Sequence, residues 1–187
     1  MRAKEQLTYK KLSHCRRRAS SPLLCWPALQ AQENSNVSNV TLHAVDQHNY
    51  EQICDLEVFE EQEDYVASNL WSLVQASYNP TCTARAIYDQ ELPVGLFLWS
   101  AETPRKVSIW RFMVDKQHQN RGIGREALGL LLQELRQIDG LARIEICYHP
   151  ANPVAGEFYA SFGFAETGMD EDGEDMLAVI ELPPRHS

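Results

Sequence analysis

Apolar and polar positions become regular only from residue 40 onward, and from there they predict a series of strands and helices. Residues 40–45 alternate with a period of two, which predicts a first strand. Residues 50–58 and 62–77 have helical spacing, and Asn79–Pro80 ends the second helix. Three more strands are predicted over 83–88, 94–100 and 107–114. The last is apolar on both faces apart from Ser108 and Arg111, which indicates a central position in a sheet.

A second amphipathic stretch follows these strands. Ile123, Ala127, Leu131 and Leu135 recur every four residues, which predicts a helix from Gly122 to about Ile138. A strand over 141–148, a helix from 152 to 163 and a closing hairpin (164–167 and 176–182) complete the pattern. The predicted order is β-α-α-β-β-β-α-β-α-β-β. We therefore expect a mixed α/β fold, with a mostly antiparallel central sheet, one β-α-β crossover and flanking helices.

Charge separates the chain into two parts. Seven of the 17 Lys and Arg residues lie in residues 1–39, which we predict to be a disordered basic extension before one folded domain over 40–187. That domain has 24 acidic and 10 basic residues. Such a body repels nucleic acid and attracts small cations, although solubility alone explains the composition equally well. No apolar run of about 18 residues is present, so we expect no membrane partner either.

The cysteines and histidines carry no recognisable metal or disulfide pattern. The five cysteines form no C-x-x-C pair, and the six histidines have no metal-ligand spacing. We therefore expect a reduced, cytoplasmic protein without a metal ion.

The segment Gln119–Gly124, between a predicted strand and helix, carries the clearest chemical signal. Glycines leave main-chain amides uncovered, a helix N-terminus adds partial positive charge, and Arg121 and Arg125 add full charges. This combination predicts a diphosphate-binding loop, although a structural glycine-rich turn is the alternative.

Two other phosphate-binding motifs fit less well. No Lys-Ser/Thr pair follows Gly124, which excludes a P-loop. Residues 122–127 fit the dinucleotide pattern G-x-G-x-x-A, and Glu145 follows about 20 residues on. However, three earlier strands come before the strand that leads into this motif, and only one more helix follows it, so a doubly wound dinucleotide fold is not expected.

Two motifs together resemble the GNAT superfamily of acetyltransferases. Gln119, Gly122 and Gly124 match [QR]-x-x-G-x-[GA], and the segment NPVAGEFYASFGF (152–164) matches N-x-x-A-x-x-x-Y-x-x-x-G-F. Within the superfamily, WRFMVDKQHQNRGIG (110–124) and VASNLWSLVQASYNP (66–80) are most similar to bacterial spermine/spermidine acetyltransferases. The resemblance implies an N-acetyltransferase domain over 40–187 that uses acetyl-CoA as cosubstrate and acetylates a small cationic amine.

The resemblance also implies roles for individual residues in binding the coenzyme. Met113 and Val114 would pair with the pantetheine arm through their main chains, and Asn152 would contact the coenzyme or cap its own helix. The diphosphate would be held by the loop residues and their neighbour: Gln119, Asn120, Arg121, Gly122, Ile123, Gly124 and Arg125.

Tyr159 is implied as the general acid that protonates the departing thiolate, whereas its helical spacing with Ala155 and Phe162 alone favours a core aromatic. The acceptor amine also needs a base. Trp110 stands where some polyamine acetylases carry a glutamate, so Glu145 on the next strand becomes a candidate.

The acidic hairpin 170–175, which includes Glu174, is a candidate polyamine-binding segment, as is the acidic run 57–64. Trp99 and Trp110 are candidate walls for the alkyl chain. Another amine (a protein N-terminus, an amino acid or an aminoglycoside) and a non-catalytic acyl-CoA-binding module remain alternatives. Superfamily members are often dimers, so a homodimer is possible.

Overall fold

The computed structural model describes residues 39–184. The predicted extension, residues 1–39, lies outside this range except for Asn39. Within it the chain forms seven strands and four α-helices: β1 Val40–Ala44, α1 Tyr50–Cys54, α2 Asn69–Tyr78, β2 Cys82–Asp89, β3 Leu92–Thr103, β4 Lys106–Val114, α3 Ile123–Leu135, β5 Arg143–Tyr148, α4 Ala155–Ala160, β6 Ala165–Met169 and β7 Met176–Glu181. A short 3-10 helix, Glu60–Gln62, lies between α1 and α2. The predicted order of strands and helices is confirmed.

All seven strands form one sheet in the order β1-β2-β3-β4-β5-β7-β6. Neighbouring strands are antiparallel except β4 and β5, which are parallel and joined by α3. The predicted fold class, a mostly antiparallel mixed sheet with one β-α-β crossover, is therefore confirmed. β4 lies at the centre of the sheet, as its two apolar faces indicated.

The two faces of the sheet carry different helices. Ile123, Leu128 and Leu131 are fully or almost fully buried, and they belong to the α3 stripe that packs on one face. On the opposite face, Ile53 of α1 packs with Ala86, Leu96 and Met113 of the sheet. Successive strand residues point to opposite faces of the sheet, so the adjacent residues Leu96 and Phe97 belong to different core clusters.

Several helix boundaries differ from the prediction. α3 ends at Leu135 and α4 at Ala160, rather than at about 138 and at 163, because the turns that follow have i→i−3 hydrogen bonds, from Ile138 to Leu135 and from Gly163 to Ala160. The helix predicted over 50–58 ends at Cys54, because the amide of Glu57 instead donates to the carboxylate of Asp115 at 3.0 Å. The helix predicted over 62–77 begins at Asn69, where the hydroxyl of Ser68 accepts from the amide of Trp71 at 3.3 Å. The last helix begins at Ala155 and has Val154 as its N-cap, so Asn152 is not its cap.

Candidate active site

A cleft opens in the middle of the sheet where β4 and β5 part. The two strands pair only from Lys106–Arg143 to Ile109–Ile146, although both continue further. The register against β3 shifts at the same place, because Leu98 pairs with Arg111 and Trp99 with Ile109. Trp110 is thus the extra residue of a β-bulge, which bends β4 away from β5.

The cleft is lined by the two strands that part, β4 and β5, and by the loops and the helix next to them. Its lining includes residues of β4, β5, α4, the α1–α2 connection and the loop before α3: Val58, Gln62, Tyr65, Val66, Ile109, Trp110, Arg111, Phe112, Met113, Val114, Gln119, Asn120, Gly124, Ile146, Cys147, Tyr148, Asn152, Val154, Ala155, Phe158 and Tyr159. The structure therefore brings both sequence motifs to one cavity.

The edge of β4 that faces this cleft carries main-chain groups without a strand partner. The amide of Asp115 donates to the carbonyl of Val94 at 2.8 Å. Because bonded pairs alternate along antiparallel strands, the peptide groups of Phe112 and Val114 point away from β3 and into the cleft. Those of Met113, predicted to bind the pantetheine arm, point toward β3 instead. Met113 itself is buried, and its sulfur accepts from the side-chain amide of Asn69 at 3.5 Å.

The loop before α3 has the conformation that an anion site needs. Gly122 has φ +82°, and nothing lies within 4 Å of the position that a side-chain Cβ would occupy there. Asn120 also has positive φ, at 60°. The first helical amide with an acceptor is that of Glu126, which donates to the Gly122 carbonyl at 3.1 Å. The amides of residues 122–125 donate to no residue in the described range, so they are free to bind an anion.

Gln119 holds this loop against the opposite wall. Its side-chain amide donates to the Val114 carbonyl at 2.9 Å and to the Gln62 side chain at 2.8 Å. Gln62 donates back to Gln119 at 3.1 Å. The first motif residue therefore fixes both the end of β4 and the 3-10 helix, rather than pointing its amide into solvent.

Asp115 also holds the end of β4 and the start of the following loop in place. This residue is 6% exposed, and its carboxylate accepts from the amides of Glu57 and Gln117, each at 3.0 Å, and from the His118 ring at 3.3 Å. Burial opposes ionisation, but these donors outweigh it and hold the pKa of Asp115 below its usual value. Asp115 was missed in the sequence. Its position at the end of a central strand, just before the loop, was the available signal.

Tyr159 lies in an aromatic cluster beside the cleft. Its ring is 5.3 Å from Phe158, 5.4 Å from Tyr148 and 5.9 Å from Phe164. Its hydroxyl makes no hydrogen bond with any residue from 39 to 184. Burial, followed by the nearby Cys147 and Tyr148, raises the pKa of Tyr159 above that of a free phenol. The phenol is therefore neutral across the physiological range.

A second tyrosine in the cleft has a different partner. The hydroxyl of Tyr148 donates to the carboxylate of Glu166 at 2.6 Å. Burial and this hydrogen bond together raise the pKa of Tyr148 to about 12. Gly156 packs beside this pair, and a Cβ there would lie 3.4 Å from both oxygen atoms. No sequence motif indicated this interaction, which joins β5 to β6.

Asn152 lies at the mouth of the cleft, next to α4. Its side-chain oxygen accepts from the Val154 amide at 3.3 Å, which stabilises the turn that leads into the helix. Asn152 lies two residues before Val154, the N-cap of α4, so it does not cap the helix itself. The side chain still lines the cleft, so its predicted contact with a ligand stays a prediction.

The predicted acidic residues are outside the cleft lining. Glu145 accepts from Lys106 at 2.9 Å and from the hydroxyl of Ser108 at 3.3 Å, so its carboxylate is already paired. Glu174 is exposed on the β6–β7 turn, where its main-chain amide donates to Asp170 at 2.8 Å. The negative charges of Asp175 and Asp170 do reach the cleft, since they add to the burial that raises the pKa of Cys147.

The two candidate tryptophans have different environments. Trp99 is 9% exposed and belongs to the core beneath α3, so it forms no wall of the site. Trp110 is half-buried and lines the cleft at the bulge. Beside it, Arg111 donates to the Trp110 carbonyl at 2.7 Å, while its own Nε atom is buried without a hydrogen-bond partner among the described residues.

Comparisons with known proteins agree with this geometry. The model of the acetyltransferase (GNAT) family matches residues 43–164, and the chain belongs to this family. It is an N-acetyltransferase. The structure contains no helix, within residues 39–184, that is long and apolar enough to cross a membrane.

The chain is 30% identical over 155 residues to the spermine/spermidine N(1)-acetyltransferase of Bacillus subtilis strain 168, covering 77% of this chain and 99% of that protein. A probable spermine N(1)-acetyltransferase of Bacillus subtilis subsp. natto matches equally well, with 30% identity over the same share of both chains.

Solved structures share the fold at lower identity. Spermidine N-acetyltransferase from Vibrio cholerae, in complex with CoA and spermine, has a TM-score of 0.62 at 20% identity, over 76% of this chain and 95% of that one. The PaiA N-acetyltransferase from Thermoplasma acidophilum, in complex with coenzyme A, has a TM-score of 0.59 at 16% identity, over 76% and 99%.

Proposed function

We propose that this enzyme transfers an acetyl group from acetyl-CoA to a primary amine of a polyamine such as spermidine or spermine. One observation carries the proposal. The cleft between β4 and β5 has free helix-terminal amides at one end, an unpaired strand edge along its wall, and Tyr159 beside it. These three features match a diphosphate, an amide-containing arm and a thioester in that order.

The donor would bind mainly through main-chain groups. The amides of residues 122–125 would hold the diphosphate, with Asn120 and Arg121 beside them. Gln119 keeps the loop in place through Gln62 and Val114. The free edge of β4 consists of the main-chain groups of Phe112 and the amide of Val114, and it would pair with the pantetheine arm, as an added strand does. The carbonyl of Val114 already accepts from Gln119. Ile123 is buried under the loop and anchors α3.

Direct attack then accounts for the chemistry. The neutral amine nitrogen bonds to the thioester carbonyl carbon, the C–S bond breaks, and the departing thiolate takes the proton of the Tyr159 hydroxyl. The proton released from the amine restores the phenol through solvent. A phenol is protonated at neutral pH, so Tyr159 has a proton to give when the thiolate forms. The deprotonating base remains unassigned, since Glu145 is paired with Lys106.

A polycationic acceptor is supported by charge and by the relatives. Two curated relatives are spermine or spermidine acetyltransferases by name. Asp170 and Asp175 bring negative charge to the Cys147 side of the cleft, and Glu174 lies on the same turn as Asp170. Trp110 offers a ring for the alkyl chain or a distal ammonium.

A second acceptor class is favoured by Arg111. Arg111 lines the cleft, and no carboxylate of the described residues lies within salt-bridge distance of its guanidinium. Its unpartnered Nε atom is buried, so a ligand would contact the terminal nitrogens. An amine that also bears a carboxylate, such as an amino acid, would supply that partner.

One experiment tests both classes. The purified enzyme is mixed with acetyl-CoA and a panel of spermidine, spermine, putrescine, amino acids, an N-terminal peptide and an aminoglycoside. Thiol release and the masses of the products are measured. We expect acetylated spermidine or spermine. Acetylation confined to carboxylate-bearing amines would replace the polyamine proposal with the second class, and no thiol release from any amine would refute both.

A further inference from the structure

The helix that carries Tyr159 has few polar attachments to the rest of the domain. α4 has only six residues, and no side chain caps its N-terminus. Its general acid makes no hydrogen bond within the described range, so aromatic packing alone sets the direction of the hydroxyl. Phe158 is central to that packing, with ring centroids 5.3 Å from Tyr159, 5.3 Å from Phe162 and 6.0 Å from Phe112 of β4.

Arg125 contacts this aromatic group from the first turn of α3. The central carbon of its guanidinium lies 5.8 Å from the Phe158 ring centroid and 5.2 Å from that of Phe162. Both distances are within the range of a cation–π interaction. Arg125 forms no salt bridge with any residue from 39 to 184. It belongs to the same helical turn as the free amides of residues 122–125, of which Gly124 lines the cleft.

A guanidinium can serve two partners at once. It is planar, so its face stacks on aromatic rings while its N–H groups point outward in the plane toward an anion. A lysine ammonium is not planar, so it cannot stack on a ring and present its N–H groups to an anion in this way. Arg125 therefore has the chemistry to contact a diphosphate at the helix N-terminus without leaving the two phenylalanine rings.

We propose that Arg125 is a positioning residue that couples binding of the coenzyme diphosphate to the placement of α4 and hence of Tyr159. The diphosphate fixes the guanidinium, the guanidinium fixes Phe158 and Phe162, and those rings fix the neighbouring tyrosine. This inference rests on the proposed function, because it requires a diphosphate at residues 122–125. It differs from the expected role of Arg125 as a phosphate ligand, which predicts a loss of affinity alone.

Two acetyl donors distinguish a positioning role of Arg125 from a role in phosphate binding alone. Acetyl-CoA contains the diphosphate, whereas acetyl-pantetheine carries the same thioester without it. For Arg125→Met we expect kcat with acetyl-CoA to fall about tenfold, a change that two exposed cation–π contacts can support. With acetyl-pantetheine the variant and the wild type should agree within twofold, because the coupling is absent from both. Arg105→Met, an exposed arginine at the β3–β4 turn, is the control for loss of charge.

A double-mutant cycle locates the effect. Phe162→Leu keeps an apolar side chain and removes the ring, and we expect it to lower kcat with acetyl-CoA to a similar extent. The double variant Arg125→Met/Phe162→Leu should be no slower than either single variant, because both remove the same interaction. Additive losses would overturn the proposal, as would a tenfold rise in KM at unchanged kcat. An equal fall in kcat with both donors would assign Arg125 to structural support only.

Hydrogen exchange measures the coupling without any need for turnover. CoA should slow exchange of the amides in α4 (Ala155–Ala160) in the wild type, and pantetheine should not. In Arg125→Met, CoA should no longer protect α4 although calorimetry still detects its binding. Protection that is equal in both proteins refutes the coupling even if no amine proves to be a substrate. Inactivity toward every amine with intact, Arg125-dependent protection refutes the proposed function alone.

Discussion

Replacement of Tyr159 by phenylalanine removes one oxygen atom and isolates the chemical role of the phenol. The ring would keep its contacts with Phe158, Tyr148 and Phe164, whose centroids lie between 5.3 and 5.9 Å away. The lost hydroxyl has no hydrogen-bond partner in the described range. We therefore expect the free energy of unfolding to change by less than about 1 kcal/mol.

The effect on catalysis should be far larger. General acid catalysis contributes roughly 10²–10⁴ in rate, so removal of the proton donor should lower kcat at least about 100-fold, or about 2.7 kcal/mol of activation free energy. The affinity for CoA should stay within a factor of about two, because the coenzyme contacts proposed above are main-chain groups of β4 and the loop before α3.

The assay compares thiol release, calorimetric CoA affinity and thermal unfolding in wild type and Tyr159→Phe. Tyr88→Phe is the matched control, because Tyr88 packs on His43 at 4.5 Å in the other core layer, away from the cleft. A kcat of Tyr159→Phe within threefold of the wild type, with folding intact, would show that the thiolate leaves without this proton.

Three further predictions follow from the same structure. Gly122→Val should weaken CoA binding at least about tenfold because a side chain at φ +82° distorts the loop; Gly140→Val carries the same strain at φ +73°, also in open space, and should leave the affinity unchanged in calorimetry. Asp115→Asn should lower the free energy of unfolding at pH 7 by roughly 1–3 kcal/mol. The native pKa of Asp115 is depressed, so its stabilisation is present above the unfolded value near 4 and is lost as the pH falls through the native pKa; urea titrations should show the two proteins converging there, and a constant difference would contradict this. Finally, because the pKa of Tyr159 is raised, kcat should rise with amine deprotonation and should not fall up to about pH 10; a decline near pH 8 would assign the acid to another group.

The sequence predicted the parts of the site that local chemistry determines. Glycine at 122 and 124 before an apolar stripe predicts a helix N-terminus with free amides, and the structure has both. The predicted order of elements, the central position of β4 and the crossover through α3 also depend on periodicity and connection rules, which the sequence carries directly.

The remaining features depend on contacts between distant segments. The residues around Glu57 do not indicate that its amide will bind the carboxylate of Asp115, which ends the predicted helix early. Likewise, the residues around Gln62 do not indicate its partner Gln119, 57 residues away. The apolar pattern of residues 107–114 predicted a central strand, but only the register against β3 shows which peptide groups face the cleft. A charge count identified acidic runs, whereas pairing of Glu145 with Lys106 requires the sheet.

The parting of β4 from β5 also bears on how long the protein survives in a cell. Strand pairing joins the β1–β4 portion to the β5–β7–β6 portion over four residue pairs, and the apolar core beneath α3 supplies the rest of the contact across this seam. Few main-chain hydrogen bonds cross the seam, so it is a place where partial opening can begin. A nucleotide thioester seated in that seam would touch both portions, and at 100 times its Kd would add about 2.7 kcal/mol against opening. The turnover of the protein would then follow the supply of its own donor, with the enzyme persisting when acetyl units are plentiful and being degraded when they are scarce.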